Sequence, residues 1–560
     1  MSEEKSRPLK GETSAARQAN RSSKTMHRAQ EQTLEARINQ KIRSMREGAS
    51  GTSQGASHVV SSGKSEKKGA HRGHGQASED SGTRHGRGHD RQGAHGHRAH
   101  AEDGIVRDPR ELVVRGLMRL DERGYSNIIW DNLMRRSGLN ELDKVLATRI
   151  YYGTLSNLRL IDAVWARFEP DMPRRADDVV HMTLRSALYQ LMFLDRVPAY
   201  SVVSSSVEVV KRLRSQGASG YCNALLRKIV KIKEKEGKLD YVPTGSRIYD
   251  FAIRYSLNDD LATLLCTSFG DEAVSIAESM MRAPSMNLRV NLSKISMEDF
   301  LRIPDLMVER SRLLPECSCT VQVRNSALET VIASGLCCVQ DEAAQLAVHA
   351  LGSPENWGEG QDHAHVWDAC AGQGGKTLHI LDILSRTRSS RRYGLLSSDL
   401  YASKLERLKS SQRDLFPERK LVVKVRDLTL PGSVPLAPFD AVLVDAPCSG
   451  LGVMRRHPEV KLLRKADDIE ALAQLQHSIL DNVSKHIRVG GILIYAVCTI
   501  TPQECELQRD AFLREHPNYV PASLGLEGFG ERGKDSAMKL LPSVDGCDGF
   551  YIAKFIRREP

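Results

Sequence analysis

From residue 108 onward the chain sets apolar side chains three and four positions apart. In "DPRELVVRGLMRLDERG", Val113, Leu117 and Leu120 recur at helical spacing. Asp108 is placed to cap this helix, and Pro109 fits its first position. The run "NELDKVLATRIYYGTLSNLRLIDAVWARF" continues with Leu142, Leu146, Ile150, Leu155, Leu158 and Ile161. "DDVVHMTLRSALYQLMFLDRVP", "SVVSSSVEVVKRLRS" and "GYCNALLRKIVKIKEKEGK" keep the same period. These segments predict an all-α bundle over residues 105–240. Residues 241–345 are mixed, a small α+β linking segment with "MNLRVNLS" as its strand. From residue 364 the period changes. Five short apolar runs, "HVWDAC", "YGLLSSD", "KLVVKVRD", "FDAVLVDAP" and "GGILIYAVCT", alternate with helix-sized segments. This predicts an α/β domain over 346–560, a parallel sheet covered on both faces.

The first hundred residues break the pattern altogether. They hold 19 Lys+Arg against 10 Asp+Glu, nearly all of the net charge of +10, and half of the 18 histidines, but no aromatic residue. "HRGHGQASEDSGTRHGRGHDRQGAHGHRAH" has almost nothing to bury, so residues 1–104 are expected to be a disordered basic tail. Only "EQTLEARINQKIRSMREG" has helix-forming composition there. Such a tail either adds sequence-independent attraction to a polyanion or is merely solvated. Its histidines lack fixed ligand spacing, so no metal is assigned to them. A second basic feature ends the bundle, where Arg227, Lys228, Lys231, Lys233, Lys235 and Lys238 gather, diluted by Glu234 and Glu236. It reads either as a nucleic-acid face or as an ordinary solvated helix.

No run of 18 apolar residues occurs, so no membrane span is expected. Glu3 and Glu4 are followed by no apolar stretch, which predicts no secretory leader. The 11 cysteines follow no disulfide framework, and Cys317–Cys319 and Cys337–Cys338 lack the matched pairs of a zinc site. A reduced, cytoplasmic protein, acting as a monomer, is expected.

Ligands of such a sheet collect beyond the carboxyl ends of its strands. The first run ends in Asp368 and leads into "CAGQGGKT", whose glycines let a backbone approach a ligand at a helix N-terminus. The loop resembles a phosphate loop, but G-x-x-x-x-G-K-[ST] needs glycine where Cys370 stands. Asp399 ends the second run, placed to accept from ribose hydroxyls, and Asp427 follows the third, placed for an adenine amino group. Each acid alone is more often a cap or turn residue. Together they outline a nucleoside cofactor, and S-adenosylmethionine fits better than a dinucleotide because no second mononucleotide-binding half is present. The fourth run delivers Asp445, Pro447 and Cys448; the fifth delivers Cys498.

Two thiols and a carboxyl group beside a methyl donor suit methylation of pyrimidine carbon 5. That carbon becomes nucleophilic only after a thiolate adds at carbon 6. A second group must then assist loss of the carbon-5 proton and release of the enzyme. Spacing alone does not say which thiol attacks.

"DACAGQGGKT", "DAPCSGLGVMRRHPEV", "YAVCTITPQECE" and "DGCDGFYIAKF" resemble the motifs of the Fmu/Sun RNA cytosine-5 methyltransferases. The bundle, ending in "GYCNALLRKI", resembles a NusB-like RNA-binding domain, and "MNLRVN" and "VQDEAAQLAV" resemble the segment joining the two. That is the layout of the RsmB-type 16S ribosomal RNA methyltransferases, with a Rossmann-like class I methyltransferase core. The resemblance covers about residues 105–560. It implies Cys498 as nucleophile, Cys448 as the group assisting release, and Asp445 between target cytosine and cofactor. It implies S-adenosylmethionine wrapped by Cys370, Ala371, Gly372, Gln373, Gly374, Gly375 and Lys376, with Asp399 on ribose, Asp427 near adenine and no metal. Gln373, Val497 and Cys505 stand where the family usually has proline, threonine and asparagine; every chemical group is retained. The expected partner is small-subunit ribosomal RNA. The rival readings are the same chemistry on transfer RNA or another RNA, or a non-catalytic RNA-binding assembly factor.

Overall fold

The computed structural model describes residues 105–559, apart from 124–125, 170–177, 215, 359–361 and 433–437. The tail expected over 1–104 lies outside the described residues. Helices run over Pro109–Arg123, Ser126–Arg136, Glu141–Ser156, Leu158–Trp165, Asp178–Phe193, Ala199–Leu213 and Gln216–Glu236. Asp108 Oδ1 accepts from the backbone N–H groups of Arg110 (2.9 Å) and Glu111 (3.2 Å), which is the cap read from the sequence. The helix Asp178–Phe193 is buried nearly all round, so the others pack about it. Arg185 pairs with both oxygens of Asp162 at 2.9 and 2.8 Å inside this bundle. Two residues of the basic cluster are spent on structure: Lys228 donates to the Phe168 carbonyl (3.1 Å) and Lys233 to that of Leu191 (2.7 Å).

Helices Arg247–Arg254, Asp259–Phe269 and Glu272–Met281 lead to a small antiparallel sheet. Its strands are β1 (Asn287–Val290), β2 (Val308–Arg310), β3 (Ser318–Val321) and β4 (Cys337–Val339), in the order β2-β3-β1-β4. The sequence showed only β1. β2 and β4 have three residues each, too short for a period to register.

The large sheet contains β5 (His363–Asp368), β6 (Arg392–Asp399), β7 (Leu421–Val425), β8 (Phe439–Asp445), β9 (Ile487–Val497), β10 (Tyr519–Pro521), β11 (Ala537–Leu540) and β12 (Phe550–Arg557). Its order is β10-β12-β9-β8-β5-β6-β7, with β11 paired to β12. β5 to β9 are parallel, and β12 closes antiparallel onto β9. Alternate residues of β8 enter opposite cores: Ala441 and Leu443 one, Val442 and Val444 the other. Both faces are therefore dry, which is why these strands read as unbroken apolar runs. β5 lies between β6 and β8, so the order reverses there, and a crevice opens at the carboxyl ends of β5 and β8.

The segment after β8 also holds the bundle. Glu459 accepts from Ser126 N (3.2 Å) and Ser126 Oγ (2.7 Å). Lys461 is buried and donates to the carbonyls of Ser156 (2.7 Å) and Tyr255 (3.3 Å). Burial lowers the Lys461 pKa from 10.5 to about 7. Between those values the unfolded chain binds a proton that the folded chain does not, so this group adds stability as pH rises from about 7. The unfolding free energy of the wild type relative to Lys461→Met is expected to increase by up to about 1.4 kcal/mol per pH unit between pH 7 and 9. Urea unfolding at three pH values checks it; a flat difference would mean that Lys461 stays charged in the fold.

Candidate active site

The site is assembled from four strand ends. After β5 the chain turns through Gly372 (φ +57°) and Gly374 (φ +92°) before the helix Gly375–Arg386 begins. The loop is tied down from beneath: Ala371 N–H donates to the Ser398 carbonyl (2.8 Å), and Gly372 N–H to Asp399 Oδ2 (2.9 Å). At Gly374 a side chain is excluded, since an added Cβ would stand 2.2 Å from Leu408 Cδ1. In front of Gly372 there is open space, and an added Cβ on Gly375 would meet only Gln340 Nε2, at 3.9 Å. Gln373 is exposed at the tip. The loop thus sets the N-terminus of the helix Gly375–Arg386 toward free volume, which suits an amino-acid carboxylate.

Asp368 is fully buried under the loop. Its Oδ2 accepts from Thr377 Oγ1 (2.6 Å), Oδ1 finds no protein partner, and burial pushes the carboxyl up to about 7. Asp399 also accepts from Tyr401 N–H (2.9 Å), so it fixes the glycine loop from the end of β6. Asp427 sits in the turn after β7, where Oδ1 accepts from Thr429 N (3.0 Å) and Thr429 Oγ1 (2.6 Å). That oxygen is engaged as a turn cap. Cys370 packs against the core beside β5, and burial pushes its thiol well up.

β8 and β9 bring the remaining groups together. Asp445 and Ala496 face each other in their ladder, so residues a few positions further on in each strand leave the sheet side by side. Cys448 Sγ and Cys498 Sγ are 3.2 Å apart, half-buried, hydrogen-bonded to each other and not joined in a disulfide. Lys376 Nζ donates to Asp445 Oδ2 at 2.6 Å and stands 5.4 Å from the centre of the Phe550 ring. Burial works against the Lys376 charge, but Asp445 outweighs it, and Cys498 adds to the rise in pKa. The Cys448 thiol is pushed well above its ordinary value by its contact with Cys498, then by burial, then by the charges of Cys498 and Glu504. The two thiols form one hydrogen-bonded pair, with the Lys376 ammonium among the charges around Cys498.

Sequence reasoning missed three groups here. Glu504, within "TPQECE", is fully buried between the two thiol-bearing loops. Arg455 and Arg456 clasp Asp548 at 2.6 and 2.5 Å, and Arg456 reaches Asp341 at 2.8 Å, joining "VMRRHP", "DGCDGF" and "VQDEAA". Lys461 follows directly after "DAPCSGLGVMRRHPEV". The other residues lay inside quoted motifs, as polar residues with no assigned task. Among the described residues Glu316, Cys317 and His349 also approach one another within 4.8 Å. Burial pushes the Cys317 thiol up to about 12.

A family model described as 16S rRNA methyltransferase RsmB/F matches residues 356–556, and a NusB family model matches 107–231. The ribosomal RNA small subunit methyltransferase B of Vibrio cholerae is 34% identical over 462 residues, which cover 80% of this chain and 98% of that one. The chain belongs to the 16S rRNA methyltransferase RsmB/F family. A probable ribosomal RNA small subunit methyltransferase B of Bacillus subtilis is 28% identical over the same shares of the two chains. The solved structure of PH0851 has the same fold, with a TM-score of 0.66 over 81% of this chain and 100% of that one, at 21% identity. As an RsmB/F methyltransferase the protein depends on S-adenosylmethionine, and the glycine loop with its open volume fits that cofactor's amino-acid end. Among the described residues of this RsmB/F chain no helix is long and apolar enough to cross a membrane.

Proposed function

We propose that this RsmB/F protein methylates carbon 5 of a cytosine in small-subunit ribosomal RNA, with Cys498 as nucleophile. The observation that carries the reading is the Cys448–Cys498 pair, 3.2 Å apart, beside the Lys376–Asp445 pair. S-adenosylmethionine, when bound, supplies an electrophilic methyl group. Residues Cys370 to Lys376 would hold its methionine end, Asp399 its ribose, and Asp427 would lie near its adenine. The Lys376 ammonium puts positive charge beside the thiol that adds to carbon 6. Asp445, oriented by Lys376, would face the N3 edge of the base and stabilise the adduct. Cys448 would assist removal of the carbon-5 proton, after which Cys498 is expelled and the base is freed.

The target base has to leave its stack to reach a strand-end crevice, which favours a loop or an unpaired strand. Arg227, Lys231 and Lys235, basic residues on the last bundle helix, remain available for phosphate contacts. Every group in the scheme comes from one chain, so the reading takes the protein as a monomer. The 11 free thiols fit a reducing cytoplasm. Incubation with S-adenosylmethionine and unmodified small-subunit RNA, followed by bisulfite sequencing, should reveal a protected cytosine. Protection only in transfer RNA would move the substrate; methyl incorporation without any protected cytosine would overturn the carbon-5 assignment.

A further inference from the structure

Neither thiol is held by its own strand alone. Each is followed in the chain by a hydroxyl residue, Cys448 by Ser449 and Cys498 by Thr499, and both hydroxyls turn onto the same buried carboxylate. Glu504 Oε2 accepts from Ser449 Oγ (2.5 Å), Thr501 Oγ1 (2.8 Å) and Thr499 Oγ1 (3.1 Å). Its Oε1 accepts from the Ser449 backbone N–H (2.8 Å) and Gln476 Nε2 (3.0 Å). Ser449 Oγ and Thr499 Oγ1 are themselves 2.8 Å apart. Gln476 also donates to the Pro447 carbonyl (2.9 Å), so the residues on both sides of Cys448 are anchored. The Tyr495 hydroxyl lies 2.9 Å from Gln476 Oε1 and 2.7 Å from the Glu504 carbonyl.

We propose that Glu504 is a positioning residue, a buried carboxylate that knots the β8 loop to the β9 loop and thereby fixes the separation and mutual aim of the two thiols. It touches neither base nor cofactor and acts through Ser449 and Thr499. A carboxylate suits the task because it only accepts: four side chains and one backbone group turn donors onto its two oxygens, three of them hydroxyls that share Oε2. Backbone bonds join the two loops from Ala446 N–H to the Ala496 carbonyl (2.9 Å) and from Gly452 N–H to the Cys498 carbonyl (3.1 Å), but none spans Cys448 itself, and a displacement of about 1 Å at the reacting atoms is enough to cost two orders of magnitude in rate. The inference rests on the reading that both thiols serve one base, but its geometric content can be tested without methylation.

The probe is oxidative coupling of the thiols by diamide. Cys448 and Cys498 give up two protons and two electrons, the azo bond of diamide is reduced to a hydrazine, and one S–S bond forms. In the full-length protein this bond should form readily and be mapped by peptide mass spectrometry. Glu504→Gln keeps the shape, since its amide N–H groups can donate to hydroxyls that reorient to accept; it should couple within about threefold of wild type. Glu504→Ala should couple at least about tenfold more slowly. It should also lose at least about tenfold in single-turnover methyl transfer, with affinity for S-adenosylhomocysteine unchanged. Should Glu504→Ala fail to fold, Thr499→Val removes the Oγ1 contacts to Glu504 and Ser449 without a change of shape and should slow coupling about threefold. Wild-type coupling rates in folded Glu504→Ala, or in Thr499→Val if that variant must stand in, would overturn the proposal. Slowed coupling in a protein that protects no cytosine from bisulfite would keep the knot and remove the functional reading instead.

Discussion

Cys498→Ala should lower single-turnover methylation by about 10⁴-fold or more while leaving affinity for S-adenosylhomocysteine within about twofold. The size follows from the chemistry. Carbon 5 of cytosine does not take a methyl group directly, so a variant without the attacking sulfur has no detour of comparable rate. Selectivity follows from the layout. The glycine loop is secured by Ser398 and Asp399 and takes no support from Cys498. Removing the thiol also relieves Lys376 of one stabilising neighbour but leaves its 2.6 Å bond to Asp445. Isothermal titration with S-adenosylhomocysteine and quenched single-turnover assays with small-subunit RNA separate the two effects. Full methylation by this variant would reject the assignment.

Cys448→Ala should fail at the opposite end of the cycle. The Cys498 sulfur can still add to the base and the methyl group can still move, but the group placed to assist loss of the carbon-5 proton is gone. The enzyme is then expected to accumulate as a protein–RNA adduct that survives denaturation, with multiple turnover reduced about 10²- to 10³-fold and the first methyl transfer much less affected. A denaturing gel with labelled RNA shows or fails to show the retarded band. This division of labour is the one the family resemblance implies, and Lys376 places a positive charge near Cys498.

The architecture was legible wherever a periodic pattern ran long enough. Among strands β5 to β9 the central β8 is buried on both faces and only β7, at the edge, is largely open, so the apolar runs stood out, and the polar or thiol residue ending each run fell at the strand's carboxyl end. That placed Asp368, Asp399, Asp427, Asp445, Cys448 and Cys498 at one edge. What the pattern could not supply was proximity. That Lys376, on the helix after β5, meets Asp445 at the end of β8 depends on strand order, which no local period encodes. Glu504 begins what reads as a solvated helix, "ECELQRD", and Lys461 sits in "EVKLLRK", a stretch that looks like surface. Their burial is imposed by elements distant along the chain: the β8 loop and Gln476 in one case, Ser156 and Tyr255 in the other. The short strands β2, β4 and β10 escaped because three residues cannot show an alternation. Lys228 and Lys233, in a cluster that reads as either a nucleic-acid face or a solvated helix, instead fasten the helix that bears them.

The most direct measurement is to digest the Cys448→Ala adduct with protease and nuclease and to sequence the modified peptide by mass spectrometry. The account predicts a single nucleotide, heavier by a methyl group, carried on Cys498 within "YAVCTI". A nucleotide on any other residue, or turnover at the wild-type rate with no adduct, would contradict it.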